Sequence, residues 1–320
     1  MMKLDLDEVA ASSTGTSATN RRIRQGAWIV IALVVTFIVG LGSGYLRWGR
    51  DETVERKQQN ELANLYKQVN PAEGYSLSIP YGDLGPQLVE AGVIDYDALI
   101  QAMSASGDAI SNRQLDILKN GSDEKIVITA ENAHFLLNFF WAVGLANKNS
   151  ILTNGMMTQY SNGQVERFAS TGGWTLATKP VTDIYASLDL IPLTAEQQAH
   201  VEEVAAAVYR PCCNNSTLFP DCNHGMAMLG LLEWMASRGA TVNEMFEAAK
   251  YFNAFWFPQQ NIEIAMVLKT SQNLDFEDAD PRLVVSEQFS SGSGAAVVHQ
   301  QLQANGALPK VPNQGGSCAN

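Results

Sequence analysis

The pattern of apolar and polar positions divides the chain into an uncharged run, a long stretch of 3.6-residue periodicity and a Ser/Gly-rich end. Residues 27–46 are twenty consecutive positions without a charge. At 1.5 Å per residue they span roughly 30 Å, the thickness of a bilayer hydrocarbon core. Trp28 stands at one end and Tyr45 and Trp48 at the other, where amphipathic rings favour the headgroup level. The run therefore predicts a transmembrane signal-anchor helix in contact with lipid. Arg21, Arg22 and Arg24 precede it and Arg47, Arg50, Arg56 and Lys57 follow it, nearly a tie by count. The short tail with a compact arginine cluster ahead of a large domain resembles a signal-anchor, which assigns residues 1–26 to a short cytoplasmic tail and the bulk of the chain to the extracytoplasmic side. Gly40 and Gly44 form a GxxxG pair, a spacing that permits close helix approach and hence a homodimer.

Residues 47–74 are charged, with Leu62 and Leu65 on a helical spacing, and read as a stalk. Pro80, Gly82, Gly85 and Pro86 mark a loop, and short helices are expected over 87–91, 95–103 and 110–118. Residues 129–147 form a strongly apolar helix. Thr194 with Gln197, and Thr241 with Glu244, match the capping-box spacing ahead of further apolar periods. Residues 225–237 and 261–268 complete the helical set. Residues 155–180 lack helical periodicity and read as an ordered loop. Because β-branched alternation is nearly absent, the expected fold class is an all-α domain over 75–270. The acidic, then Ser/Gly-rich stretch 271–320 reads as an irregular, flexible tail in which only 295–304 is helical.

Charge narrows the function classes. The chain carries 21 Lys and Arg against 33 Asp and Glu, a net of −12. With 6 of those basic and 3 of those acidic residues in positions 1–50, residues 51–320 hold 15 and 30, a net of −15. Nucleic-acid binding is excluded as an expectation, since it needs clustered cations. A soluble acidic surface and an envelope or membrane protein partner remain compatible. The sequence holds no GxSxG elbow, HExxH pair, phosphate-binding loop or dinucleotide fingerprint, so catalysis is not expected. His134, in the apolar helix, reads as a buried neutral histidine. Asn120, Asn214 and Asn215 begin glycosylation sequons.

Three of the four cysteines lie within eleven residues, in the order Pro211-Cys212-Cys213 to Asp221-Cys222-Asn223-His224, and Cys318 is the fourth. The segment joins two helices, and a thiol at the second helix's N-terminus, Cys222, is expected to ionise readily. Cys212, Cys213, Cys222 and His224 supply soft or borderline donors across a short proline-stiffened loop. Met226 lies four residues beyond Cys222 and Met228 four beyond His224, so thioethers on the same helix face, or Cys318, are further donors. Such a set suits a copper or zinc ion. Asp221 would then orient the imidazole. The expected role is capture, delivery or sensing of the metal. The alternative is a disulfide-stapled interaction domain of the cell envelope, with Cys222 bonded to Cys212 or Cys213 and Cys318 tying down the tail. A third reading, a thiol oxidoreductase with Cys222 attacking and Cys213 resolving, lacks the CxxC motif. Met226 and Met228 also fit an apolar core stripe with Leu229, Leu232 and Met235.

Overall fold

The computed structural model describes residues 52–308. The signal-anchor run 27–46, the Gly40–Gly44 pair and Cys318 lie outside the described residues. Among the described residues, no helix is long and apolar enough to cross a membrane. Helices of seven or more residues are α1 (Glu52–Val69), α2 (Leu84–Glu90), α3 (Tyr96–Ala105), α4 (Asn112–Asn120), α5 (Ala133–Ala146), α6 (Ala195–Ala207), α7 (Asn223–Ser237), α8 (Val242–Trp256), α9 (Pro258–Gln272) and α10 (Gly292–Ala304). The fold is mostly helical, as the periodicity implies.

It is not purely so. Strand β1 (Tyr75–Gly82) pairs antiparallel with β2 (Ser122–Ile128), with Tyr75 opposite Ile128 and Gly82 opposite Ser122. The loop expected around Pro80 is thus a strand that buries Leu77, Ile79 and Tyr81 on one face. Pro80 fits because the register shifts on both sides of it, and a proline is accommodated at a bulge.

The centre of the molecule is the crossing of α5 and α7. Gly144 and Gly230 face each other there: a Cβ on Gly144 would collide with the Met226 carbonyl, and one on Gly230 with that of Phe140. Two helices can approach this closely only where small residues meet. Nearly every side chain of α5 is buried, so the helix is apolar on all sides rather than amphipathic. The indoles of Trp141, Trp174, Trp234 and Trp256 each donate to a backbone carbonyl, those of Ser170, Val93, Pro80 and Ala133. Both capping boxes form with their reciprocal bonds, at Thr194 and at Thr241.

A second apolar cluster corrects two expectations. Leu65 and Val69 of α1 pack with Ile262, Ile264, Ala265 and Leu268 of α9 and with Phe289, Val298 and Leu302. The C-terminal half of the expected stalk is therefore part of the domain, and Gln68 bonds both Asp275 and the Phe276 amide. Residues 281–304, expected as tail, form two short helices and α10. The Ser/Gly run is the helix start: Ser291 accepts from the Gly294 amide as N-cap, and Ser290 and Ser291 are buried. Composition alone reads such a run as a linker, but here its hydroxyls find backbone partners. His134 is also corrected. It is partly exposed, and its Nδ1 lies 2.7 Å from Asp108 Oδ2.

Candidate metal centre

The cysteine loop begins where α6 stops. Val208 is extended, the Thr217 amide donates to the Val208 carbonyl at 2.9 Å, and Tyr209 pairs with Ser216 in an isolated antiparallel bridge. Residues 210–215 become the tip of a tight hairpin that presents Cys212 and Cys213. The chain returns through Phe219, Pro220 and Asp221 to Cys222, which is the N-cap of α7. Its Sγ takes the place of the usual capping oxygen and accepts from the Gly225 amide at 3.4 Å.

The three sulfurs of Cys212, Cys213 and Cys222 all lie within 4.8 Å of one another. Cys212 Sγ and Cys222 Sγ are 3.4 Å apart, whereas a bonded pair sits at about 2.05 Å. All three are free thiols, so the loop is held by hydrogen bonds in place of the alternative disulfide staple.

Beneath them lies Arg210, which is 1% exposed. Its Nε donates to Cys222 Sγ at 3.0 Å. Nη1 donates to the Asn215 carbonyl at 2.9 Å, and Nη2 to the Phe219 carbonyl at 3.0 Å and to Asp221 Oδ1 at 2.8 Å. A buried guanidinium is tolerated only when its donors are satisfied and a counter-charge is near. Here the same cation knits both arms of the loop to the helix cap. Gly225 makes room for it, since a Cβ there would stand 2.5 Å from Arg210 Cζ. Asn215 completes the set by donating from Nδ2 to Asp221 Oδ2 at 2.8 Å.

The electrostatics follow from this geometry. Hydrogen bonding by the Cys212 and Cys213 thiols, joined by the Arg210 cation, holds the Cys222 thiol well below its ordinary pKa in spite of burial. Cys212 is pushed upward by its neighbours Cys213 and Cys222 and by burial. Cys222 is the sulfur of the cluster whose negative charge the surroundings favour, through the Arg210 guanidinium and the Gly225 amide. Burial raises the Asp221 carboxyl, with Arg210 acting in the opposite direction.

The other expected donors are placed elsewhere. His224 is buried, but its ring nitrogens do not join the sulfur set. Its Nδ1 lies 2.9 Å from its neighbour Asn223 Oδ1, and its ring packs on Phe257 and Trp256 at centroid distances of 4.4 and 5.8 Å. Desolvation lowers its pKa to about 4. The histidine follows Cys222 by two residues and so leaves the helix on a different side. Asp221 serves Arg210 and Asn215, and orients no imidazole. Met226 and Met228 are 0% and 1% exposed and belong to the core stripe with Leu229, Leu232 and Met235. The donor set that converges is sulfur alone.

Arg210 and Gly225 carry the site and were not singled out by spacing. The signal was a lone arginine set directly before Pro211, and a glycine in the first turn of an apolar helix. The C-terminal segment contributes as well. The Gly292 amide donates to the Cys213 carbonyl at 2.7 Å and the Ser293 amide to Asn214 Oδ1 at 2.8 Å, so the start of α10 grips the hairpin tip. From the other side, the Ser170 amide donates to the Asp221 carbonyl at 3.0 Å. Compared with known proteins, this chain matches no family model, no curated protein and no solved structure.

Proposed function

We propose that this protein is a membrane-anchored, extracytoplasmic binder of a soft metal ion, copper(I) in first place, held by Cys212, Cys213 and Cys222 for capture, delivery or sensing. The reading is carried by three sulfurs lying within 4.8 Å of one another on a loop tied down from both sides. Thiolate-rich sets select copper(I) and zinc. Copper(I) accepts three sulfurs as they stand, while a structural zinc site takes four ligands, for which Cys318 is the remaining cysteine. Arg210 offsets the negative charge of the thiolates and holds Cys222 Sγ at the helix cap. The uncharged run 27–46 and the compact arginine cluster on the short tail ahead of it support an anchor in the bilayer with its N-terminus inside.

The test is a titration of the reduced, untagged full-length chain with copper(I) against a chromophoric chelator, with zinc in parallel. One copper(I) per chain is expected, with at least a hundredfold weaker binding in Cys222→Ser. Serine puts a hydroxyl oxygen in the capping position that Cys222 Sγ fills, so that variant is expected to keep its fold. Failure to compete with the chelator, or equal binding by Cys222→Ser, overturns the reading. Alkaline extraction of membranes checks the anchor: the chain is expected to remain with the lipid.

A further inference from the structure

Cys212 and Cys222 do more than face an ion. Their sulfurs stand 3.4 Å apart, so closing to a bond of about 2.05 Å needs a shift of little more than 1 Å. The two groups differ in kind. Cys222 Sγ accepts from a buried guanidinium and from a helix N-terminal amide, the surroundings that make a sulfur nucleophilic. Cys212 sits in the hairpin tip, without such donors to its sulfur, and all three cysteines retain partial exposure. An attacking thiolate with a second thiol beside it is the arrangement thiol–disulfide exchange requires.

We propose that this loop is a dithiol centre that exchanges with disulfides, with Cys222 as the attacking sulfur and Cys212 as the resolving one. The co-reactant is a disulfide, R–S–S–R′. Cys222 Sγ attacks one sulfur, forms a mixed disulfide with RS and expels R′S⁻, which takes up a proton. Cys212 then loses its proton to solvent and attacks Cys222 Sγ, closing the intramolecular bond and releasing RS⁻. Two thiols of the protein are oxidised and one disulfide is reduced to two thiols. The second step is intramolecular, so proximity favours it over attack by a free thiol. Arg210 remains under the new bond, with its donors to the Asn215 and Phe219 carbonyls and to Asp221 intact. The loop therefore keeps its frame while the sulfur chemistry changes. Cys213 takes no part in the exchange. The inference does not depend on ion binding, because the reaction is that of the metal-free thiols.

The experiment uses the reduced, chelator-treated full-length chain and glutathione disulfide as the probe. After acid quenching and alkylation, peptide mapping of the wild-type protein is expected to show a Cys212–Cys222 crosslink within one chain, with two glutathione thiols released per chain. Cys212→Ser is expected to stop at one glutathione attached to Cys222. Cys213→Ser is expected to form the same Cys212–Cys222 crosslink, and melting curves confirm that both variants are folded. The proposal is overturned if excess glutathione disulfide leaves the thiols free. It is equally overturned if the crosslink joins Cys213, or if glutathione settles on Cys212 while Cys222 stays unmodified. Since no metal is present, failure here and failure of copper(I) binding are read separately.

Discussion

Gly225 and Arg210 are matched: the glycine in the first turn of α7 leaves the space that the guanidinium fills, and a methyl group there would stand 2.5 Å from Arg210 Cζ. Alanine in a helix is ordinarily more stable than glycine by up to about 1 kcal/mol. At residue 225 the sign should reverse. Gly225→Ala must displace a buried cation that has four hydrogen bonds to lose, and a cost of about 2–4 kcal/mol is expected. Urea unfolding of the variant checks this. An unchanged or higher midpoint would show that Arg210 does not pack as described.

Glu233, on α7, is fully buried, with Asn147 Nδ2 donating to its carboxyl at 3.1 Å. Desolvation raises its pKa well above the ordinary glutamate value, against the lowering effect of Asn147 and Asn149. A carboxyl raised on folding contributes stability that is complete below its unfolded pKa and is lost as pH climbs through the folded one. Wild-type stability is expected to fall as pH rises above the ordinary glutamate range, at no more than about 1.4 kcal/mol per pH unit from this group. Glu233→Gln should remove that component. The check is the urea midpoint across pH for both proteins; parallel curves would contradict a neutral buried acid.

Asn214 receives the Ser293 amide at the start of α10. Asn214→Ala is expected to cost about 1 kcal/mol, the usual value of a cap, while the bond from Gly292 to the Cys213 carbonyl persists. Hydrogen exchange should show it locally, as roughly fivefold faster exchange at residues 292–294. Unaltered protection there would mean that the C-terminal helix does not lean on the cysteine hairpin.

Gly230 stands against the Phe140 carbonyl where α5 and α7 cross. Gly230→Ala is expected to be destabilising by about 2–3 kcal/mol in spite of the gain in helix propensity, because both backbones would have to part. Thermal melts measure this directly, and a rise in the midpoint would argue against so close a crossing.

The helices that sequence made legible are those whose signals are local. The capping boxes at Thr194 and Thr241 appear with both reciprocal bonds, and Cys222 stands at a helix start, as its flanking Pro220 and Asp221 imply. The errors have long-range causes. The alternation of Leu77, Ile79 and Tyr81 is a strand signal, but Pro80 masked it, and the strand exists because residues 122–128 offer a partner. Ser290 and Ser291 carry no apolar signal, and only the packing of Val298 and Leu302 with α9 and the bonds from Gly292 and Ser293 to the hairpin distinguish a helix start from a linker. At the site, three sulfurs were legible from clustering. Arg210 was not, because a buried charge declares itself only through its partners, and His224 misled because closeness along a chain does not place two side chains on one side of a helix.

The central claim is that sulfur alone forms the ion-binding set. X-ray absorption at the copper edge of the copper(I)-loaded full-length protein tests it most directly, for wild type and for Cys222→Ser. Three sulfur neighbours with no imidazole scattering are expected in the wild type, and loss of bound copper in the variant. A shell containing histidine nitrogen, or copper retained after Cys222→Ser, would contradict it.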